Sequence, residues 1–146
     1  RQAVETNLVA PFALSVLVCR RMRDTGGGAI VNIASSMALQ SIDRIPHAAY
    51  VASKAGLLGL TRELGSQWGR YGVRVNAVAP GFFPSDMNRD IHVGDGGMPD
   101  WLARLVPLGR GGRREELVAT VRFLLEPASG YITGQVIPLD GGMTTR

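Results

Sequence analysis

Apolar positions recur along the chain at two spacings and divide it into alternating helical and extended segments. Over residues 2–22, Val9, Phe12, Val16 and Cys19 fall at helical spacing. The pattern predicts a helix that bends or breaks at Pro11, whose ring carries no backbone N–H. Gly26-Gly27-Gly28 ends it. Residues 29–34 (AIVNIA) form a short apolar run rich in β-branched side chains, the signature of a buried strand. A second helix is signalled over 48–68, where Leu57, Leu60, Leu64 and Trp68 make one strip and Val51, Ala55 and Leu58 another. Two strips predict burial on two sides. Residues 73–79 (VRVNAVA) read as a second strand, stopped by Pro80-Gly81. Residues 82–112 are Gly-rich and aperiodic, which predicts an irregular, mobile, lid-like segment. A third helix spans 114–126: Leu117, Val121, Leu124 and Leu125 face inward, Glu115 and Glu116 suit its first turn, and Pro127 stops it. Residues 135–139 make the last strand, and Pro138, which cannot donate to a ladder, predicts that it lies at a sheet edge or has its blocked side free.

The order helix, strand, helix, strand, helix, strand predicts an α/β fold with parallel strands joined by crossovers, half of a doubly wound sheet. In such sheets ligands bind beyond the carboxyl ends of the strands, here just after Ala34, Ala79 and Leu139. No repeat, low-complexity tract or linker divides the chain, so residues 1–146 read as a single unit.

Composition narrows the class of protein. With 45% hydrophobic residues and both charge signs present, the chain has the profile of one globular domain. Its apolar stretches are interrupted by Arg, Gly or Pro, and residues 1–7 do not resemble a signal peptide. A cytoplasmic protein with no membrane role is expected. The single cysteine, Cys19, excludes an internal disulfide and any cysteine-clustered zinc site. No residues have metal-ligand spacing, so no catalytic metal is expected. The net charge of +4 comes from scattered residues apart from Arg20, Arg21 and Arg23. Those three fall where a helix ends and cations complement its dipole, so no nucleic-acid partner is expected. Lys54 is the one lysine among sixteen basic residues. An ammonium is not interchangeable with a guanidinium, which draws attention to its surroundings.

Those surroundings are Tyr50-Val-Ala-Ser-Lys54 at the start of the second helix, where i and i+4 side chains share a face. A tyrosine normally titrates near ~10, so acid–base work near neutrality needs a shift of roughly 3 units downward, and a neighbouring cation supplies that sign of field. Ser35 follows the first strand and places a hydroxyl at its mouth, with Ser36 as the competing choice. Either serine is also a turn former. After the second strand, Pro80-Gly81 allows close backbone approach to a flat ligand, and Ser85 and Met87 follow. His47 and His92 read as surface residues.

Together these stretches resemble the short-chain dehydrogenase/reductase family, along nearly the whole chain. They include Asn7-Leu8 with Pro11-Phe12, Gly28 to Ser35, Tyr50 to Gly56, Val73 to Gly81, Pro107-Leu-Gly-Arg110, and Ile132-Thr-Gly-Gln135 running to Asp140-Gly141-Gly142. The resemblance implies a Rossmann-like fold, NAD or NADP as cofactor, a small-molecule substrate, and a homo-oligomer, dimer or tetramer. It implies a catalytic tetrad of Asn7, Ser35, Tyr50 and Lys54. Tyr50 is then the general acid/base, Ser35 orients the carbonyl or hydroxyl, Lys54 lowers the tyrosine pKa and holds the nicotinamide ribose, and Asn7 positions a relay water. Pro80, Gly81, Phe82, Phe83 and Ser85 would pack along the nicotinamide, with Ser85 standing where threonine is usual. The interval from Ser35 to Tyr50 is about two residues longer than is common.

The family's N-terminal half, with its Gly-rich phosphate turn, has no counterpart here: Gly26-Gly27-Gly28 precedes a strand, and Gly94-Asp-Gly-Gly97 lies in the lid-like segment. The chain therefore reads as the C-terminal, catalytic half of such an enzyme, inactive by itself. The sequence is similar to gluconate 5-dehydrogenases and other sugar-acid or polyol dehydrogenases, with 3-oxoacyl-carrier-protein reductases nearly as close. A truncated, non-enzymatic fragment that acts only in self-association is the rival reading.

Overall fold

The computed structural model describes residues 1–42, 47–85 and 97–145. Met87, His92 and most of the Gly94-to-Gly97 turn lie outside the described residues, as does part of the interval between Ser35 and Tyr50. The elements in chain order are α1 (Gln2–Val4), a π-helical turn (Glu5–Val9), α2 (Ala10–Asp24), β1 (Gly28–Ile33), α3 (Ala48–Trp68), β2 (Val73–Pro80), α4 (Asp100–Ala103), α5 (Arg114–Leu125) and β3 (Val136–Leu139).

The first helix accommodates Pro11 through its winding. In the π turn the Ala10 N–H reaches back five residues to the Glu5 carbonyl. The α-helix then restarts at Ala10, so Pro11 falls in a first turn, where a missing N–H costs nothing. Gln2–Asp24 consequently runs as one helix, long and apolar enough by length and composition to cross a membrane. That differs from the interrupted stretch read from the sequence, because the proline is absorbed rather than disruptive. One side of the helix packs on protein: Ser15 and Cys19 are buried, whereas Leu14 and Leu17 are both 62% exposed. Arg21 and Arg23 close the last turn.

The three strands are parallel in the order β1-β2-β3, with Gly28 opposite Val73 and Ala77 opposite Val136. β3 is an edge strand, as Pro138 requires, and Pro80 extends β2 one residue beyond the expected stop. Successive β2 residues face opposite ways. Val73 and Val75 pack with Cys19 of α2 and Leu64 of α3, while Ala77 and Ala79 pack with Ala34 and Leu58. From the other face Arg74 donates to the carbonyls of Glu126 and Ile132 at the end of α5. Helices therefore cover both faces of β2. The chain's turn into β1 needs glycine at Gly27: its φ is +110°, and an added Cβ would lie 2.5 Å from the Gly72 carbonyl oxygen.

Two expectations are corrected. The second apolar strip of α3 is only partly covered, since Leu58 is buried but Ala55 is exposed. The lid-like segment is not uniformly irregular: α4 lies within it, and Leu102 and Val106 form a buried cluster with Met143, against which Phe82 and Trp101 pack. Few residues separate those leucine and valine positions from glycines and prolines, so a helical period could not show.

Buried polar groups of the sheet are paired. Asn32 Nδ2 donates to Thr61 Oγ1 at 2.9 Å, and Thr61 passes its proton to the Leu57 carbonyl at 2.8 Å. Asn76, fully buried, donates to the Ile132 carbonyl and accepts from the Gln135 N–H at 3.0 Å, stitching β2 to the approach of β3. Asn76→Ala strands both backbone groups, so a loss of about 2 kcal/mol or more is expected. Urea unfolding of the variant checks this; a change under about 0.5 kcal/mol would mean that solvent satisfies the loop without Asn76.

Candidate active site

Tyr50 and Lys54 stand one turn apart at the start of α3, as their spacing requires. The ammonium nitrogen lies 5.9 Å from the centre of the phenol ring. The same nitrogen donates to the Ile33 carbonyl at 2.7 Å, on the side of β1 that faces away from β2. Burial pushes the Lys54 ammonium below the ordinary lysine value. His47 meets the Tyr50 ring edge to face at 6.2 Å between centroids.

Asn7 reaches this helix from the π turn. Its Nδ2 donates to Ser53 Oγ at 3.2 Å, and Ser53 Oγ donates to the Tyr50 carbonyl at 2.7 Å. Leu8 lies over Gly56, where an added Cβ would sit 2.9 Å from its Cδ2. A small residue on α3 thus lets the two helices approach at the level of Lys54. The open side of β1 and α2 border a groove of about 540 Å³ that has Asn7 and Lys54 in its lining and extends to Met22.

Ser35 lies two residues past the end of β1 and is buried at 7% exposure, with Ser36 at 2%. Ser35 Oγ accepts from the Met37 N–H at 3.2 Å and caps a short 3₁₀ turn, so the turn-former reading of this serine is realised. The cap uses an oxygen lone pair. The cap makes no use of the hydroxyl proton.

Pro80 and Gly81 close β2 against β3, where the Gly81 N–H donates to the Leu139 carbonyl at 2.9 Å. An added Cβ on Gly81 would lie 2.8 Å from Asp140 Cα. The glycine is therefore required by the neighbouring strand's end, a reason that the sequence did not disclose. Phe82 and Phe83 lie against Gly111 and Gly112, and Ser85 is exposed. Asp140 accepts from the Gly142 and Thr144 N–H groups and from Thr144 Oγ1, which folds the chain end back over β3.

Several positions were not singled out beforehand. Ser53 is one, although a hydroxyl three residues after Tyr50 on a buried helix face was a usable signal. Another is the pair formed by Arg110 and Glu116. Both guanidinium nitrogens contact the carboxylate, at 2.9 and 2.7 Å, and the Arg113 N–H donates to it at 2.8 Å. This pair ties the segment behind Phe82 and Phe83 to the start of α5.

Comparison with known proteins identifies the family. The family model described as enoyl-(acyl carrier protein) reductase matches residues 1–144. The chain belongs to the short-chain dehydrogenase/reductase family. It is 39% identical over 141 residues to gluconate 5-dehydrogenase of Gluconobacter oxydans, covering 97% of this chain and 54% of that protein. NAD-dependent glycerol dehydrogenase of Listeria innocua is 35% identical over 145 residues, covering 99% and 56%. A 3-oxoacyl-acyl-carrier-protein reductase of Chlamydia trachomatis is 39% identical over 140 residues, covering 96% and 54%. Among solved structures, gluconate 5-dehydrogenase from Burkholderia cenocepacia in complex with NADP and tartrate matches with a TM-score of 0.87 at 35% identity, covering 96% of this chain and 54% of that one. The chain spans about half the length of these short-chain dehydrogenase/reductase relatives. The fold is correspondingly part of a Rossmann-like sheet. Relatives in the family use NAD or NADP.

The described residues fit one end of such a dinucleotide. Lys54 supplies a half-buried cationic donor, and Ser35, Gly81 and Asp140 gather at the carboxyl ends of the parallel strands. No Gly-rich turn joins a strand to a helix N-terminus among the described residues, so a pyrophosphate cradle is not part of them.

The Arg110 hydrogen bonds, then the Arg113 N–H, hold Glu116 down at about 2. A depressed carboxylate stabilises the fold above its unfolded value and loses that contribution as pH falls through the folded one. The contact should therefore persist across the range from 4.5 towards 2. Carboxyl-carbon NMR titration of Glu116 is expected to give a midpoint near 2; a midpoint near 4.5 would show the pair to be open in solution.

Proposed function

We propose that the protein carrying this chain is an NAD(P)-dependent oxidoreductase acting on a secondary alcohol or its ketone, with a sugar acid or polyol as the substrate class. The observation that carries the reading is Lys54 Nζ beside the Tyr50 ring, on a helix whose first turn is tied to Asn7. Bound nicotinamide would supply the hydride chemistry. Tyr50 exchanges the proton with the substrate oxygen, and Lys54 contributes the positive charge that favours the phenolate. Ser35 gives its remaining proton to the same oxygen. Asn7 sits four residues before Pro11, which has no N–H to give its carbonyl, and it positions a relay water. Pro80, Gly81, Phe82, Phe83 and Ser85 would border the nicotinamide, and Lys54 and Tyr50 would hold its ribose.

The substrate class draws on relatives named for gluconate, glycerol and D-threitol, with oxoacyl-carrier-protein reduction as the alternative. The protein is a homo-oligomer without nucleic-acid or membrane partners in this reading, and cytoplasmic. Self-association alone is the second reading, favoured by the exposure of Leu14 and Leu17 and by the unpaired side of β1. Residues 1–146 by themselves are then expected to bind either cofactor very weakly and to turn over no substrate. Calorimetric titration of the isolated chain checks this, and micromolar binding to a monomer would require a phosphate site elsewhere.

In the whole protein, Tyr50→Phe is expected to cost at least ~10²-fold in turnover with cofactor affinity nearly intact. Lys54→Met should weaken cofactor binding and move the pH profile to the alkaline side. Steady-state rates under cofactor titration test both. Turnover within a few-fold in Tyr50→Phe would remove Tyr50 from the chemistry. Ser35→Ala should lose more than Ser36→Ala, and the reverse order would exchange their roles.

A further inference from the structure

We infer that Ser53 is a positioning residue for this chemistry, fixing which end of the Asn7 carboxamide faces the Tyr50–Lys54 helix. The inference rests on the reading of Tyr50 and Lys54 as the acid–base pair. Ser53 is 1% exposed and sits between those two residues in sequence, one turn beyond Tyr50. A serine hydroxyl has one proton. Here it goes to the Tyr50 carbonyl at 2.7 Å, which leaves only oxygen lone pairs towards Asn7. Asn7 must then present its NH₂, as it does at 3.2 Å, and turn Oδ1 away from Ser53. A flipped carboxamide would set oxygen against oxygen.

The backbone around Asn7 makes such a tether necessary. Asn7 lies inside the π turn, and Pro11 removes the N–H that would bond its carbonyl in a regular helix. The Ser53 contact adds a side-chain tether that the helix backbone does not supply. Serine is also a costly choice for the site, since alanine is the better helix former and brings no polar group to bury. A buried serine whose two bonds join the π turn to the first turn of α3 is explained by what it aligns.

The test compares Ser53→Ala, Asn7→Ala, the double variant and Tyr50→Phe in the full-length protein. Ser53→Ala is expected to melt no lower than the parent. It should lower kcat about tenfold or more while KM for the cofactor stays within about twofold. The Asn7→Ala and Ser53→Ala losses should be non-additive, the double variant being little worse than either single one. Independently of activity, the Asn7 side-chain amide signals in ¹⁵N-edited NMR should move in Ser53→Ala. Unmoved signals overturn the tether. Moved signals with kcat retained within about twofold, or losses that simply add, overturn the positioning role while Tyr50→Phe remains inactive. If Tyr50→Phe is itself active, the acid–base reading falls and this inference with it.

Discussion

The burial of β2 is the constraint on which the rest of this structure depends. Val73, Val75, Ala77, Val78 and Ala79 are completely inaccessible to solvent, so the elements around this strand are placed by how they cover it. At roughly 25 cal/mol per Å² of apolar area removed from water, such a strand is a large stabilising term. It is realised only if both faces are covered. α2 and α3 cover one face through Cys19, Leu58 and Leu64, and α5 covers the other. Parallel pairing then brings the carboxyl ends of β1, β2 and β3 to one side. Gly81 and Asp140 follow those ends directly and Ser35 comes two residues after β1, so the candidate site's position is a consequence of the core.

A strand buried on both faces must also satisfy the polar groups around it. Asn32 and Asn76 do so, each through bonds that only one arrangement of neighbours permits. Asn32 selects the register of α3 through Thr61, and Asn76 selects the path of residues 132–135. The apolar contacts of β2 tolerate small slides, whereas these directional bonds do not. The polar pairs therefore define the alignment that the hydrophobic contacts stabilise, and α3, aligned by one of them, carries Tyr50 and Lys54.

Element order, strand direction and the pairing of Tyr50 with Lys54 were legible in the sequence because each depends on a period. A spacing of four on a helix puts two side chains together whatever the rest of the protein does, and β-branched runs between turn residues make strands. What stayed hidden depends on contacts between distant segments. The need for glycine at position 81 is set by Asp140, almost sixty residues away, and the buried cluster of Leu102, Val106 and Met143 has no helical spacing to reveal it. The π turn was hidden for a different reason. Pro11 announced a disturbance, but a bend, a break and a widened turn place the same apolar residues at nearly the same spacing. Leu8 of the widened turn lies over Gly56, a contact between distant segments that no local spacing discloses.

The use of lysine at position 54 in a chain otherwise supplied with arginine follows from this arrangement. The side chain is half-buried between β1 and the Tyr50 ring and donates to the Ile33 carbonyl. An arginine there would bring a broad, planar fork with five N–H groups, of which the Ile33 carbonyl could satisfy only one or two, leaving the others desolvated. A lysine ends in a compact group with three donors that can turn among neighbours on a flexible stem. It can also yield: burial already disfavours its charged form, whereas a guanidinium stays protonated throughout. In the function proposed above, this group shares its protons between a strand carbonyl and the site beside Tyr50, and of the two basic side chains lysine is the small, rotatable one that suits such sharing.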